Sequence, residues 1–256
     1  MSDFKITDGV LLDYKGKSQK VIIPDNVTKI GEVAFGDCSL KSVIIPDSVT
    51  EIGYKAFEYC SSLKSVIIPD SVTEIGERTF RNCDSLKSVV ISDNVTEIGE
   101  RAFEDCKSLE SVIIPVSVTE ISLGAFFGCS GLESVIIPDS VTKIGEYAFA
   151  DCCSLKSVVI PVSVTKIGEE AFVACSSLES VIIPDSVTEV GKEAFYICSN
   201  LTSVTILTSE LDIDQDTFKD CGKLDTVTVP KGSSESGFVR KLIKNGVKAE
   251  AIREAE

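Results

Sequence analysis

The feature that most constrains this chain is a repeat of 23 residues that runs through most of its length. Two columns of large apolar residues fix the period, one of leucine and one of phenylalanine. The leucines are Leu40, Leu63, Leu86, Leu109, Leu132, Leu155, Leu178, Leu201 and Leu224, and the phenylalanines are Phe35, Phe57, Phe80, Phe103, Phe126, Phe149, Phe172, Phe195 and Phe218. Only the first phenylalanine step differs, at 22 residues. Such a period predicts a solenoid, in which each repeat forms one coil and contacts its two neighbours.

Each repeat divides into three parts. Residues 65–69, SVIIP, are β-branched and end in proline, which predicts a short strand. Residues 71–76, SVTEIG, predict a second extended segment that glycine closes. Residues 100–106, around an Ala-Phe pair, predict a short helical turn, in part 3₁₀. A single coil leaves both of its faces uncovered, so stability is expected to come from stacking.

The two ends depart from the repeat, as the caps of a solenoid do. We predict one solenoid domain over 1–256, with an N-terminal hairpin cap at 1–20, repeats at 21–230 and a C-terminal helical cap at 231–256. The hairpin turn is placed at Lys15-Gly16-Lys17. The helix is predicted over 233–245 from the spacing of Phe238, Val239, Leu242 and Ile243, with Gly246 as its C-cap.

The string L-x-S-V-I-I-P-x-S-V-T-x-I-G-x-x-A-F-x-x-C resembles the BspA-type leucine-rich repeat over about residues 20–230. The resemblance implies an α/β repeat fold. This is a right-handed solenoid of about ten coils of 22–23 residues, with a parallel β-sheet on the concave side and short helical turns opposite. It also implies protein binding, because such repeats occur in bacterial and protist proteins, often at the cell surface, where some are implicated in adhesion to host proteins.

A first candidate surface follows from the alternation of side chains along the strand. With Val66 and Ile68 directed into the core, Ile67 points outward. The equivalent residues form a column that we call the ribbon: Ile44, Ile67, Val90, Ile113, Ile136, Val159 and Ile182, followed by Thr205 and Thr228. An apolar column of this length predicts an interface for a protein partner or for a second copy of the chain. The alternative is that these residues are only good strand formers.

A second candidate is the lateral column, the position after each repeat phenylalanine: Glu58, Arg81, Glu104, Phe127, Ala150, Val173, Tyr196 and Lys219. Four consecutive members are apolar, and such a break in a polar pattern can mark a binding site. Partial burial by a neighbouring loop is the alternative. Beside the ribbon lies a charged column: Lys41, Lys64, Lys87, Glu110, Glu133, Lys156 and Glu179. It predicts either a solvated rim or a charge pattern that sets the register of a partner.

Composition argues against a catalytic site. The chain has no histidine, which is the commonest general base and metal ligand. A net charge of −15 opposes binding to a nucleic-acid backbone or to an anionic membrane surface. We therefore predict a non-enzymatic protein with no cofactor and no metal, whose partner is another protein or itself.

The cysteines form one further column, from Cys38 to Cys221, with one thiol per coil. Single thiols without CxxC pairs predict buried, reduced side chains rather than zinc ligands. Cys153 lies outside the column and is predicted to be exposed. The first residues lack the apolar stretch of a signal peptide, which favours a cytoplasmic location, whereas the resemblance suggests the cell surface or secretion. No apolar run reaches the length of a membrane-spanning helix.

Overall fold

The structure is a computed structural model that describes residues 3–233 and 237–255. Its strands, in chain order, are β1 Phe4–Thr7, β2 Val10–Tyr14, β3 Lys20–Ile22, β4 Lys29–Ile30, β5 Ser42–Ile44, β6 Glu51–Ile52, β7 Ser65–Ile68, β8 Glu74–Ile75, β9 Ser88–Ile91, β10 Glu97–Ile98, β11 Ser111–Ile113, β12 Glu120–Ile121, β13 Ser134–Ile136, β14 Lys143–Ile144, β15 Lys166–Ile167, β16 Ser180–Ile183, β17 Glu189–Val190, β18 Ser203–Ile206, β19 Asp212–Ile213, β20 Thr226–Val229 and β21 Ile252–Glu254. Helix α1 spans Gly237–Lys244, and a 3₁₀ turn spans Ala249–Ala251. The strands stack into a parallel β-solenoid of about 11 turns.

We number the coils from the one that contains Phe35. Coil 1 spans 18–39, coil 2 spans 40–62, coil 3 spans 63–85, coil 4 spans 86–108, coil 5 spans 109–131, coil 6 spans 132–154, coil 7 spans 155–177, coil 8 spans 178–200 and coil 9 spans 201–223, and coil 10 begins at Leu224.

One sheet, which we call the strand face, is built from the SVII segments in three hydrogen-bonded parts. These are β3 with β5, then β7, β9, β11 and β13, then β16, β18, β20 and β21. Equivalent residues are aligned, so that Ile67 pairs with Val90. Coil 7 contributes only isolated bridges at Ser157. Val66 and Ile68 are buried and Ile67 is exposed, which confirms the alternation predicted from the sequence.

A second parallel sheet forms from the two-residue strands of the T-x-I-G segments. Glycine suits most of these positions because adjacent coils approach closely: a Cβ atom at Gly168 would lie 2.6 Å from the backbone nitrogen of Glu146. Asp214 occupies the equivalent position of coil 9, where its N–H still donates to the carbonyl of Val190 at 2.9 Å. Among the described residues this sheet has two parts, which separate between β10 and β12. At that point Ser122 replaces the glycine, and its Oγ donates to the carbonyl of Ile98 at 2.7 Å. In the next coil the equivalent hydrogen bond comes from the backbone, since the N–H of Gly145 donates to the carbonyl of Ile121 at 2.8 Å.

The segment around each Ala-Phe pair is a run of tight turns, so the helical turns predicted there are not formed. Two positions per coil have positive φ, as at Lys55 (55°) and Tyr59 (61°), and this interrupts any helix. The N–H of Cys60 donates to the carbonyl of Phe57 at 3.1 Å, within the coil. The N–H of Phe57 donates to Thr79 of the next coil at 2.9 Å. Backbone bonds therefore join the coils on this side as well.

The core is a stack of equivalent side chains. The rings from Phe35 to Phe218 are nearly parallel, with centroids 4.9 to 5.6 Å apart. Next to them the cysteine column is buried from Cys60 onward, and all ten cysteines are free thiols, as predicted. Each buried thiol donates to the phenylalanine carbonyl of the preceding coil, as in Cys106 Sγ to Phe80 at 3.2 Å. The same carbonyl also accepts the N–H of the cysteine in its own coil, so the thiol is a second, weak donor to it.

The N-terminal hairpin is confirmed, but its turn is not at Lys15-Gly16-Lys17. Strands β1 and β2 pair antiparallel around Asp8 and Gly9, and both of these residues have positive φ. An Asp-Gly pair is well suited to such a turn. The hairpin then starts the aromatic stack, because the ring of Tyr14 lies 5.3 Å from that of Phe35.

The C-terminal helix is also confirmed, with Gly246 at φ 101° after its end. It buries three of the four apolar residues predicted, and Ile243 stays exposed. The carbonyl of Asn245 accepts the N–H of Phe218, the bond that a further coil would supply. Strand β21 then pairs in parallel with β20, which the sequence did not predict. Of the predicted caps, residues 1–2, 234–236 and 256 lie outside the described residues.

Candidate binding surface

The ribbon is the most exposed apolar feature of the molecule. Its members from Ile44 to Ile182 are 56–79% exposed, and Val159 is the most exposed. Ile22, which the sequence analysis omitted, extends the ribbon into coil 1. At the far end Thr205 and Thr228 are half-buried. The sequence therefore placed Ile67, Val90, Ile113, Ile136, Val159 and Ile182 correctly on one face, and alternation along the strand is the physical reason.

Two valines that the sequence analysis missed widen the ribbon. Most coils have aspartate after the strand proline, but coils 5 and 7 have Val116 and Val162, which are 62% and 71% exposed. Coils 5 and 7 therefore each have two exposed apolar residues on this side, Ile113 with Val116 and Val159 with Val162. The signal was present in the sequence as two departures, in coils 5 and 7, from a column that is otherwise acidic through coil 8: Asp25, Asp47, Asp70, Asp93, Asp139 and Asp185.

The charged column forms ion pairs where its sign changes. Lys87 lies 3.0 Å from Glu110, and Lys156 lies 2.8 Å from Glu133. All four side chains are mostly exposed, so each pair contributes little to stability. The pairs join coil 4 to coil 5 and coil 6 to coil 7, which gives the column a role within the array itself.

The lateral column changes character between coils 4 and 5. In coils 2–4 it is a chain of ion pairs, in which Arg81 lies 3.2 Å from Glu58 and 3.0 Å from Glu104. Lys55 and Arg101 extend the chain, at 3.3 and 3.4 Å from the two glutamates. Both glutamates are buried, so their charges depend on these partners.

In coils 5–8 the same column is apolar and lies partly within the fold. Phe127, Val173 and Tyr196 are half-buried, and Ala150 is fully buried. Lys219 of the next coil lies over the Tyr196 ring, 5.8 Å from its centre. The structure thus brings Phe127, Val173 and Tyr196 into one row, but it exposes them less than the ribbon.

The break in the second sheet opens a polar groove of about 420 Å³. Four glutamates and two lysines line it with Ser122 and Leu123: Glu97, Glu100, Glu120, Glu146, Lys143 and Lys166. Lys143 forms an ion pair with Glu120, which also lines the groove, and Lys166 forms one with Glu189. Ser122, which stands where most coils have glycine, lies in the wall of this groove.

Burial makes most thiols of the cysteine column poor nucleophiles, whereas a hydrogen bond with Cys198 lowers the pKa of Cys221. Burial raises the pKa of the Cys60 thiol to about 12, so this thiol stays protonated at neutral pH. Burial also raises the pKa of the Cys83 and Cys106 thiols. Cys153 is exposed, as predicted, and its Sγ donates to the carbonyl of Ala174 at 3.7 Å.

Stacked parallel coils with a leucine, a phenylalanine and an exposed strand ribbon in each repeat define a leucine-rich repeat solenoid. The sequence profile of the BspA-type leucine-rich repeat region, with six copies, matches residues 11–133 and 119–237. The chain belongs to this family. The family points to a protein–protein interaction scaffold, and leucine-rich repeat proteins are typically non-enzymatic.

Several solved structures are similar. A leucine-rich repeat protein from Bacteroides ovatus is 35% identical with a TM-score of 0.78; the match covers 92% of this chain and 60% of that protein. The leucine-rich repeat protein of T. pallidum is 25% identical with a TM-score of 0.53, over 95% of this chain and 91% of that one. A leucine-rich repeat protein from Eubacterium ventriosum is 26% identical with a TM-score of 0.51; the match covers 83% of this chain and 68% of that one.

No curated protein gives a significant match to the chain. In the part of the chain that the structure describes, no helix is both long and apolar enough to cross a membrane.

Proposed function

We propose that this protein is a non-enzymatic scaffold that binds a protein partner on the strand face, centred on coils 5–7. The observation that carries the proposal is the exposed apolar area of Ile113, Val116, Ile136, Val159 and Val162. Contiguous exposed apolar surface is characteristic of interfaces, and β-branched side chains lose little rotamer freedom when a partner covers them. The absence of histidine and the raised pKa values of the Cys60, Cys83 and Cys106 thiols support a role without catalysis.

The test is the triple variant Ile113→Glu, Ile136→Glu and Val159→Glu, compared with a matched control. The control is Thr119→Glu, Thr142→Glu and Thr165→Glu, which adds the same charge to exposed positions of the same three coils on another side. Partners captured by the native chain are purified, and their affinities for all three proteins are measured by calorimetry. We expect the ribbon variant to lose at least about 30-fold in affinity, the equivalent of one hot spot. A partner that binds the ribbon variant as tightly as the control contradicts the proposal.

The lateral row of Phe127, Val173 and Tyr196 is the second candidate for a partner. Its partial exposure supports a smaller contact beside the main one. The substitutions Val173→Glu and Tyr196→Glu, assayed with the same partner, distinguish the two: a loss of binding here with the ribbon variant unaffected assigns the site to this row.

Self-association through the ribbon is the alternative function. It is supported by the same exposed residues, because a second copy would cover them equally well. Light scattering behind size exclusion, across concentrations, separates the two functions. A native oligomer that becomes monomeric in the ribbon variant assigns the ribbon to self-association, whereas a monomer in both leaves the ribbon to a foreign partner.

A further inference from the structure

Coils 2–4 give the strand face a different chemistry from coils 5–7. The ribbon there consists of Ile44, Ile67 and Val90, all exposed. On one side of it lie three exposed lysines, Lys41, Lys64 and Lys87. On the other side lie three exposed aspartates, Asp47, Asp70 and Asp93. An apolar strip therefore runs between a basic edge and an acidic edge.

Most of these charges have no counter-ion in the part of the chain that the structure describes. Among the described residues, neither Lys41 nor Lys64 forms an ion pair, and neither do the three aspartates. Lys87 forms an ion pair with Glu110 of coil 5, and Asp70 accepts a hydrogen bond from the Ser92 hydroxyl at 2.7 Å. The two edges thus leave charges of both signs available to a partner.

The apolar strip and the acidic edge belong to one concavity. A shallow groove of about 390 Å³ is lined by the ribbon residues of coils 2–4 and by Asp47, Asp70 and Ser92. A partner seated in it would contact apolar and charged groups at the same time.

We propose that coils 2–4 bind an amphipathic α-helix of a partner protein, whose apolar stripe has acidic residues along one flank and basic residues along the other. The inference rests on the proposed function in taking the strand face as the binding face. The helix would lie along the solenoid axis. Its acidic flank would face Lys41, Lys64 and Lys87, and its basic flank would face the aspartates.

The spacing of the coils favours a helix over an extended peptide. Paired strands lie about 4.8 Å apart, and one turn of helix rises about 5.4 Å. Over the two intervals between three coils the mismatch is about 1 Å, so each turn faces one coil. An extended peptide presents same-side residues about 6.7 Å apart and would drift by about 4 Å over the same distance.

The experiment uses the full chain and three designed helical peptides with the same apolar stripe. One peptide has one acidic and one basic flank, one has two acidic flanks and one has two basic flanks. Binding is measured by fluorescence anisotropy at physiological ionic strength. We expect the mixed peptide to bind about tenfold more tightly than either of the others. The chain has a net charge of −15, so tightest binding by the doubly basic peptide would reflect overall attraction and overturn the proposal.

Two variants locate the site. The first is the triple variant Lys41→Glu, Lys64→Glu and Lys87→Glu, which makes both edges acidic. It is expected to switch the preference to the doubly basic peptide. Lys143→Glu, Lys166→Glu and Lys192→Glu makes the same change in charge away from the strand face and is expected to leave the preference for the mixed peptide. A switch in both variants, or in neither, overturns the assignment to coils 2–4.

The ribbon variant at Ile113, Ile136 and Val159 separates this inference from the proposed function. It is expected to keep its affinity for the mixed peptide, because coils 2–4 are unchanged. If it loses that affinity, the helix sits on coils 5–7, and the inference fails while the proposed function gains support. If none of the peptides binds, the inference fails and partner binding by coils 5–7 is untouched.

Discussion

Coils 2–4 and coils 5–8 are built on the same repeat but carry different surfaces. In coils 2–4 the lateral column is an ion-pair chain centred on Arg81, and the ribbon lies between lysines and aspartates. In coils 5–8 the lateral column is apolar, and Val116 and Val162 replace two of the aspartates. The core columns are the same on both sides, since the phenylalanine stack continues across the boundary at 5.4 Å. The comparison teaches that the periodic residues determine the fold, whereas the departures from the period distinguish the surfaces.

The largest expected difference between the two regions is the response of the lateral column to truncation. Arg81→Met leaves Glu58 and Glu104 buried with weaker partners, and we expect it to lower the free energy of unfolding by about 3 kcal/mol. Val173→Ala, in the same column of coil 7, should cost about 1 kcal/mol, because it removes only part of a half-buried side chain. Urea denaturation of both variants gives the two values.

A triple variant provides the control for this prediction. Glu58→Leu, Arg81→Met and Glu104→Leu removes the buried charges together, so its stability should return to within about 1 kcal/mol of the native chain. Equal costs for Arg81→Met and Val173→Ala would mean that the ion-pair chain is solvated and that the two regions do not differ in this respect.

The second prediction copies the break of coil 5 into an intact part of the second sheet. Gly168→Ser places a Cβ atom against the backbone of Glu146, and we expect a loss of about 2 kcal/mol from the strain or the separation that follows. Thermal unfolding measures the loss, and faster exchange of the amides in β14 and β15 locates it. Unchanged stability would contradict the view that glycine is needed for the close approach of coils.

The third prediction repairs the natural break. Ser122→Gly should allow the backbone N–H of residue 122 to bond to Ile98, as glycine does elsewhere. The new bond is offset by the entropy that glycine loses on folding, so the free energy of unfolding should change by less than about 1 kcal/mol. Hydrogen exchange is the sharper measurement, because the amide of residue 122 should become protected. Continued rapid exchange at this amide would show that Ser122 alone does not cause the break.

The smallest effect is expected at the ion pair that joins the two regions on the strand face. Lys87→Gln removes the exposed pair with Glu110 and should cost about 0.5 kcal/mol at low salt and less at high salt. Lys64→Gln is the matched control, since Lys64 forms no ion pair with any residue that the structure describes. Denaturation at two ionic strengths compares them, and an equal response of the two variants would remove any role for the pair in joining coils 4 and 5.

Much of the fold could be predicted from the sequence because the period is a direct record of stacking. The inward column, the outward ribbon and the buried thiols all follow from repeat position and strand alternation. The helical turns did not form, since the backbone there must also bond to the next coil, and positive φ at positions such as Lys55 and Tyr59 permits this. The hairpin turn is at Asp8-Gly9 rather than at the predicted residues for a related reason, because β2 must align with β4 of the first coil.

The candidate surface was predicted in outline and completed by the structure. The sequence alone determined the family, the register of the coils and the apolar ribbon, because each of these depends on residues that repeat. The tertiary structure decided how far each side chain is exposed, that Val116 and Val162 join the ribbon, and that the second sheet is divided next to Ser122. It also decided that β21 returns to cover β20. These features depend on contacts between coils, and a period read along one chain does not contain the distance between neighbouring backbones.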